Sequence, residues 1–103
     1  MAESIIVTGV IDIDPDQREA AIAATHTVME ATRAEDGCEL YVFSADTADQ
    51  GRFYVSEQWR DQAAMDAHMA SPHLAAFMGA MGEFGVKSAS LTKWTGATAE
   101  KLM

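Results

Sequence analysis

One cysteine, two prolines and seven basic side chains are all that 103 residues contain of each. The single thiol, Cys38, has no second cysteine to pair with inside the chain, and no basic neighbour favours its thiolate, so it reads as structural. Seven Lys and Arg against sixteen Asp and Glu give a formal charge of −9, with no basic cluster. That balance excludes the electrostatic footprint of a nucleic-acid backbone or an anionic lipid surface, and neither is expected as a partner. No apolar run approaches the ~20 residues that cross a bilayer. The start, Met1-Ala2-Glu3-Ser4, lacks the basic flank and apolar stretch of a signal peptide, so the expected compartment is the reducing cytoplasm. Also missing are a Gly-x-Gly-x-x-Gly turn, a Walker-type loop, a Gly-x-Ser-x-Gly elbow and a Cys-x-x-Cys pair.

What is present fits one domain, residues 1–95, followed by a polar, Ala-rich tail, 96–103. A chain of this size has a modest core, and a partner subunit would add to it. Ile5 to Ile13 is β-branched almost throughout and apolar on both alternating faces, as in a strand covered from two sides. Asp14-Pro15 supplies a helix N-cap and a first-turn proline, predicting a helix to about Glu35 with Ala21, Ile22, Thr25, Met29 and Thr32 facing inward. Asp36-Gly37 ends it. Cys38–Ser44 and Arg52–Trp59 then flank a polar turn and read as a hairpin. A helix capped by Asp61 presents Ala64, Met65, His68 and Met69 on one face, and Ser71-Pro72 interrupts it and recaps the chain. Leu74, Phe77, Met78 and Met81 mark a further amphipathic helix ending near Gly82 and Gly85, and Val86–Trp94 is the last strand.

The order β-α-β-β-α-β predicts an α+β, ferredoxin-like domain: a four-stranded antiparallel sheet with its helices on one face. Yet Ile6 and Val10 alternate with Ile5, Val7 and Ile11, and Tyr41 and Phe43 oppose Leu40 and Val42, so the second face also needs cover and a homodimer packed sheet to sheet is expected.

His68, on an apolar helical stripe, reads either as a proton acceptor or donor or as a core histidine satisfied by a backbone carbonyl or by Glu57. His73 opens the next helix, a rim position. The Ser-Pro break between the two histidines spoils a shared helical face, and spacing reveals no third ligand, so no metal is expected. Glu57 and Trp59 share one side of their strand; Glu57 needs a partner, a histidine or arginine in the fold or a group across the dimer. Tyr41 and Tyr54 offer hydroxyls to a quinol or polycyclic phenol, and Phe77 and Met65 apolar wall; all of these are also ordinary core residues.

The runs Glu35-Asp36-Gly37-Cys38-Glu39-Leu40-Tyr41, Glu57-Gln58-Trp59 and Ala67-His68-Met69-Ala70-Ser71-Pro72-His73 resemble the antibiotic biosynthesis monooxygenase domain, closest to the small bacterial quinol monooxygenases. The resemblance runs from the first strand to Trp94. It implies a dimeric α/β barrel whose pocket, between sheet and helices, joins oxygen to a small aromatic substrate without metal, haem or flavin. No cofactor is therefore expected. Oxygen chemistry on a bare protein needs an electron-rich substrate, which deprotonating a hydroquinone provides. The resemblance makes His68 and then Tyr41 the catalytic candidates, with Trp59, Glu57 and His73 at matching positions around the substrate. Haem-degrading relatives fit less well, since Gly9 and Met78 stand where those use asparagine and histidine. The rival reading is a non-catalytic, small-molecule-binding or stress-associated dimer of the same fold.

Overall fold

Ile5–Asp12, rich in β-branched residues, forms β1 in the computed structural model, which describes residues 4–103. Asp14 caps the following segment by accepting from the Asp16 amide at 2.9 Å. A single 3-10 turn, Pro15–Gln17, then leads into α1, Arg18–Arg33, so the predicted first helix exists but starts with a tighter turn. Its buried positions are Ala21, Thr25, Val28 and Thr32; Ile22 and Met29 lie at the margin.

Gly37 ends this region with φ +83°, where a side chain would be strained, and a Cβ there would lie 2.5 Å from the Ala64 Cβ. Glycine thus lets the turn and the next helix touch. The hairpin strands are β2, Cys38–Ala45, and β3, Arg52–Trp59, in the predicted places. Asp61 caps α2, Gln62–Met69, by accepting from the Ala64 amide at 2.8 Å. Ser71 caps α3, Pro72–Met81, and β4 runs Ser88–Trp94, two residues shorter at its start than predicted.

The sheet order is β2-β3-β1-β4 with every neighbouring pair antiparallel, the α+β, ferredoxin-like arrangement. Each crossover, β1 to β2 and β3 to β4, steps over one strand and leaves its helices on the same face. Against that face β1 buries Ile5, Val7 and Ile11, and β3 buries Phe53, Val55, Glu57 and Trp59, the alternation of a pleated strand. Two apolar clusters result. One joins Ile5, Val28, Tyr41, Trp59, Ala64 and Phe77; the other joins Ile11, Ile13, Ala21, Phe53 and Phe84.

Two methionines correct the predicted helix faces. Met69 and Met78 are exposed, because α2 and α3 are each a few turns long and turn only part of their apolar stripes to the core: Ala64, His68 and Phe77 are buried, and Met65, Leu74 and Met81 half-buried. Strand β1 is also less apolar on its second face than its composition implies: Ile6 and Val10 are half-buried, and Thr8 between them is exposed. Among the described residues, no helix is long and apolar enough to cross a membrane.

Candidate active site

Glu35 lies in the turn after α1, His68 in the last turn of α2 and His73 in the first turn of α3. Their side chains meet at one atom. Glu35 Oε2 accepts from His68 Nδ1 at 2.7 Å and from His73 Nε2 at 2.7 Å. His68 is 2% exposed at its side chain, Glu35 15% and His73 24%, so the cluster grades from core to surface.

The Ser-Pro break builds this arrangement instead of spoiling it. Ser71 Oγ donates to the His68 carbonyl at 2.6 Å and accepts from the Leu74 amide at 3.3 Å, so one hydroxyl closes α2 and starts α3. The redirected chain brings the His73 ring to 6.0 Å from the His68 ring, centroid to centroid. The third ligand type that spacing did not reveal is Glu35. Two imidazole nitrogens and a carboxylate oxygen lie within 4.8 Å of one another here, a donor set that suits a divalent transition metal.

His68 is framed by aromatic rings. Trp59 lies 4.7 Å away at an interplanar angle of 31°, and Tyr41 5.1 Å away at 62°. Tyr41 packs edge-on to Phe43, and Phe43 meets Phe77 at 5.1 Å. Met65, Leu74 and Met81, all half-buried, complete the wall. The hydrogen-bond partner of His68 is thus Glu35, not a backbone carbonyl or Glu57.

Among the described residues Glu57 has no cationic partner, yet its carboxylate is not bare. Its Oε1 accepts from the Trp59 indole N–H at 2.9 Å. Burial pushes its carboxyl above the usual range, while the indole bond and the nearby His68 act in the opposite sense. Burial, with the Glu57 charge second, drives the Tyr41 phenol so far up that it stays protonated at any physiological pH. Cys38 is likewise raised by burial and by Glu35 and Glu57, in keeping with a structural thiol.

The structure therefore brings His68, His73, Tyr41, Trp59, Glu57, Phe77 and Met65 into one neighbourhood. Sequence reasoning missed Glu35 as a member. Its only signal was its place in the Glu-Asp-Gly-Cys run, because its partners lie 33 and 38 residues away.

Comparison with known proteins agrees with this fold. Residues 4–80 match the pattern of the family described as antibiotic biosynthesis monooxygenase. A Synechocystis protein called "Uncharacterized protein sll1783" is 37% identical over 76 residues, which are 74% of this chain and 52% of that one. This chain thus spans about half of that relative's length. "Putative monooxygenase Rv0793" of Mycobacterium tuberculosis is 35% identical over 76% of each chain. The crystal structure of a "putative antibiotic biosynthesis monooxygenase" from Deinococcus radiodurans superimposes with a TM-score of 0.87 at 27% identity, covering 96% of this chain and 98% of that one. With its sheet order, its helical cover and three quarters of its length matched, the chain belongs to the antibiotic biosynthesis monooxygenase family.

Proposed function

We propose that the protein is a monooxygenase that oxidises a quinol or polycyclic phenol with molecular oxygen, with His68 as the base. The observation that carries this reading is the Glu35–His68 contact. A carboxylate can only accept, so Nδ1 of His68 bears the proton, and in the neutral ring Nε2 then holds the lone pair. An imidazole oriented in this way, inside an aromatic wall, is the arrangement of a general base.

In the proposed reaction His68 Nε2 takes a phenolic proton, and the electron-rich anion gives two electrons to oxygen. One oxygen atom ends on the ring and the other leaves as water, so a hydroquinone and oxygen yield a hydroxylated quinone and water. The substrate supplies both electrons. Tyr41, locked neutral by burial, donates a hydrogen bond to the developing oxyanion. The rings of Tyr41, Trp59 and His68 touch, so substrate enters from the side where Glu35 and His73 surface. Met65, one turn before His68 on α2 and half-buried, makes way, since thioether chains repack at low cost. The working unit is a homodimer in the cytoplasm, built on the uncovered sheet face.

The test is oxygen uptake by chelator-treated protein with menadiol-like and anthrone-like substrates, measured against autoxidation. The expected result is an excess rate that falls at least a hundredfold in His68→Ala while circular dichroism is unchanged. Saturable binding of those phenols without any excess rate would overturn this reading in favour of a binding protein.

A further inference from the structure

We infer that Glu35, His68 and His73 form a binding site for a divalent transition-metal ion, and that the ion switches His68 from one tautomer to the other. The argument starts from convergence. His68 Nδ1 and His73 Nε2 both aim at the same carboxylate oxygen at 2.7 Å, so the two nitrogens point at one small volume. Such convergence is what a metal needs and what two unrelated buried histidines do not have.

Metal–nitrogen and metal–oxygen bonds of about 2.0–2.2 Å set neighbouring donor atoms roughly 3.3 Å apart around a tetrahedral ion. The two imidazole nitrogens, within 4.8 Å of each other, must come to that spacing, and the carboxylate must retreat by roughly 0.6 Å from its present contacts. Glu35 is free to do so, because it sits in a turn and not within α1. The imidazoles are held more firmly, His68 by its ring contacts and His73 by the Ser71-capped start of α3. Two neutral imidazoles and one carboxylate suit zinc and its first-row neighbours better than calcium or magnesium. Three protein ligands also leave a coordination position for water.

Binding moves protons within the rings. A metal ion on Nδ1 of His68 requires the lone pair there, so the ring proton moves to Nε2. His73 makes the reverse shift, from Nε2 to Nδ1. No proton is gained or lost when both rings are neutral, yet Nε2 of His68 loses its lone pair. On the oxygenase reading, which this consequence alone rests on, a metal-loaded protein has no base.

The experiment uses untagged full-length protein and zinc alone. Competition against a chromogenic chelator is expected to show one zinc per chain, with affinity at least tenfold weaker in His73→Ala and in Glu35→Gln. His26→Ala, which alters the exposed histidine on α1, should leave affinity unchanged. Long-range proton–nitrogen correlation spectra of the wild type should show Nε2 of His68 passing from the unprotonated to the protonated range on zinc addition. Absence of stoichiometric uptake, or uptake that survives both ligand variants, overturns the site. Uptake with an unaltered His68 ring overturns the switch. A protein that binds zinc but consumes no oxygen in its metal-free form refutes the oxygenase reading and leaves the metal site standing.

Discussion

Trp59 donates its indole N–H to the carboxylate of Glu57, two residues earlier on the same face of β3, at 2.9 Å. The wholly buried indole so obtains its one necessary acceptor within its own strand, and a carboxyl is drawn into the core in exchange.

That exchange sets a pH dependence. Burial raises the folded-state value of Glu57 above its ordinary 4.5, so in the window just above 4.5 the folded chain holds a proton that the unfolded chain has lost. Stability contributed by this group is complete below that value and declines as pH rises through the folded one. Glu57→Gln keeps an oxygen for the indole and removes the charge. Thermal melts from pH 4 to 8 should therefore show a smaller alkaline decline for this variant, with a midpoint at pH 7 no lower than the wild type. Parallel melting curves would refute the assignment. Glu57→Ala, which strands the indole N–H, should cost about 1–3 kcal/mol at pH 7.

Gly37 connects the fold to the site. Any side chain there meets a positive φ and the Ala64 Cβ together, so Gly37→Ala must displace the start of α2 or distort the turn that carries Glu35. A loss of about 1–3 kcal/mol is expected by denaturant titration, together with a changed His68 ring signal. Gly79, where an added Cβ meets nothing within 4 Å, is the control: Gly79→Ala should be neutral or slightly stabilising.

Much of this was legible in the chain itself. Ile5 to Ile13, the Asp36-Gly37 stop and the two hairpin strands gave the strand positions, because β-branching and turn chemistry are local properties. The caps at Asp14, Asp61 and Ser71 were equally readable. Met69 and Met78 were misplaced because apolar spacing reports which side of a helix is greasy, not how much of that side the sheet covers. Glu35 escaped for a different reason. Its role exists only once α1, α2 and α3 are packed, and no spacing rule links position 35 to positions 68 and 73.

Tyr41 supplies a test that separates hydrogen bonding from acid–base chemistry. Its phenol, held neutral by burial, cannot titrate between pH 6 and 10. On the proposed mechanism Tyr41→Phe should lower kcat about tenfold, the worth of roughly 1.4 kcal/mol, without changing the shape of the pH–rate profile. A profile that loses its alkaline limb in this variant would show the phenol acting as an acid, contrary to its environment.

The uncovered face of the sheet carries the last prediction. Leu40, Tyr54 and Trp94 are 44%, 37% and 54% exposed there, beside the half-buried Ile6, Val10 and Val42. Register places Val10 opposite Tyr54 and Ile6 opposite Trp94, so these side chains form a patch of two apolar pairs across three strands. Thr8, Ser56 and Thr92 interleave with it, a mixture common in surfaces that pair with a second protein. A second copy is the expected occupant, since a twofold axis lets the same patch cover itself. Sedimentation at micromolar concentration should give a species of twice the 11.1 kDa chain mass. Leu40→Asp and Trp94→Asp add charge to a chain already at −9 and place a carboxylate within the face that a second copy would cover, so each should yield folded monomer. Wild-type protein that sediments as a single chain, or aspartate variants that remain paired, would refute the sheet-to-sheet dimer.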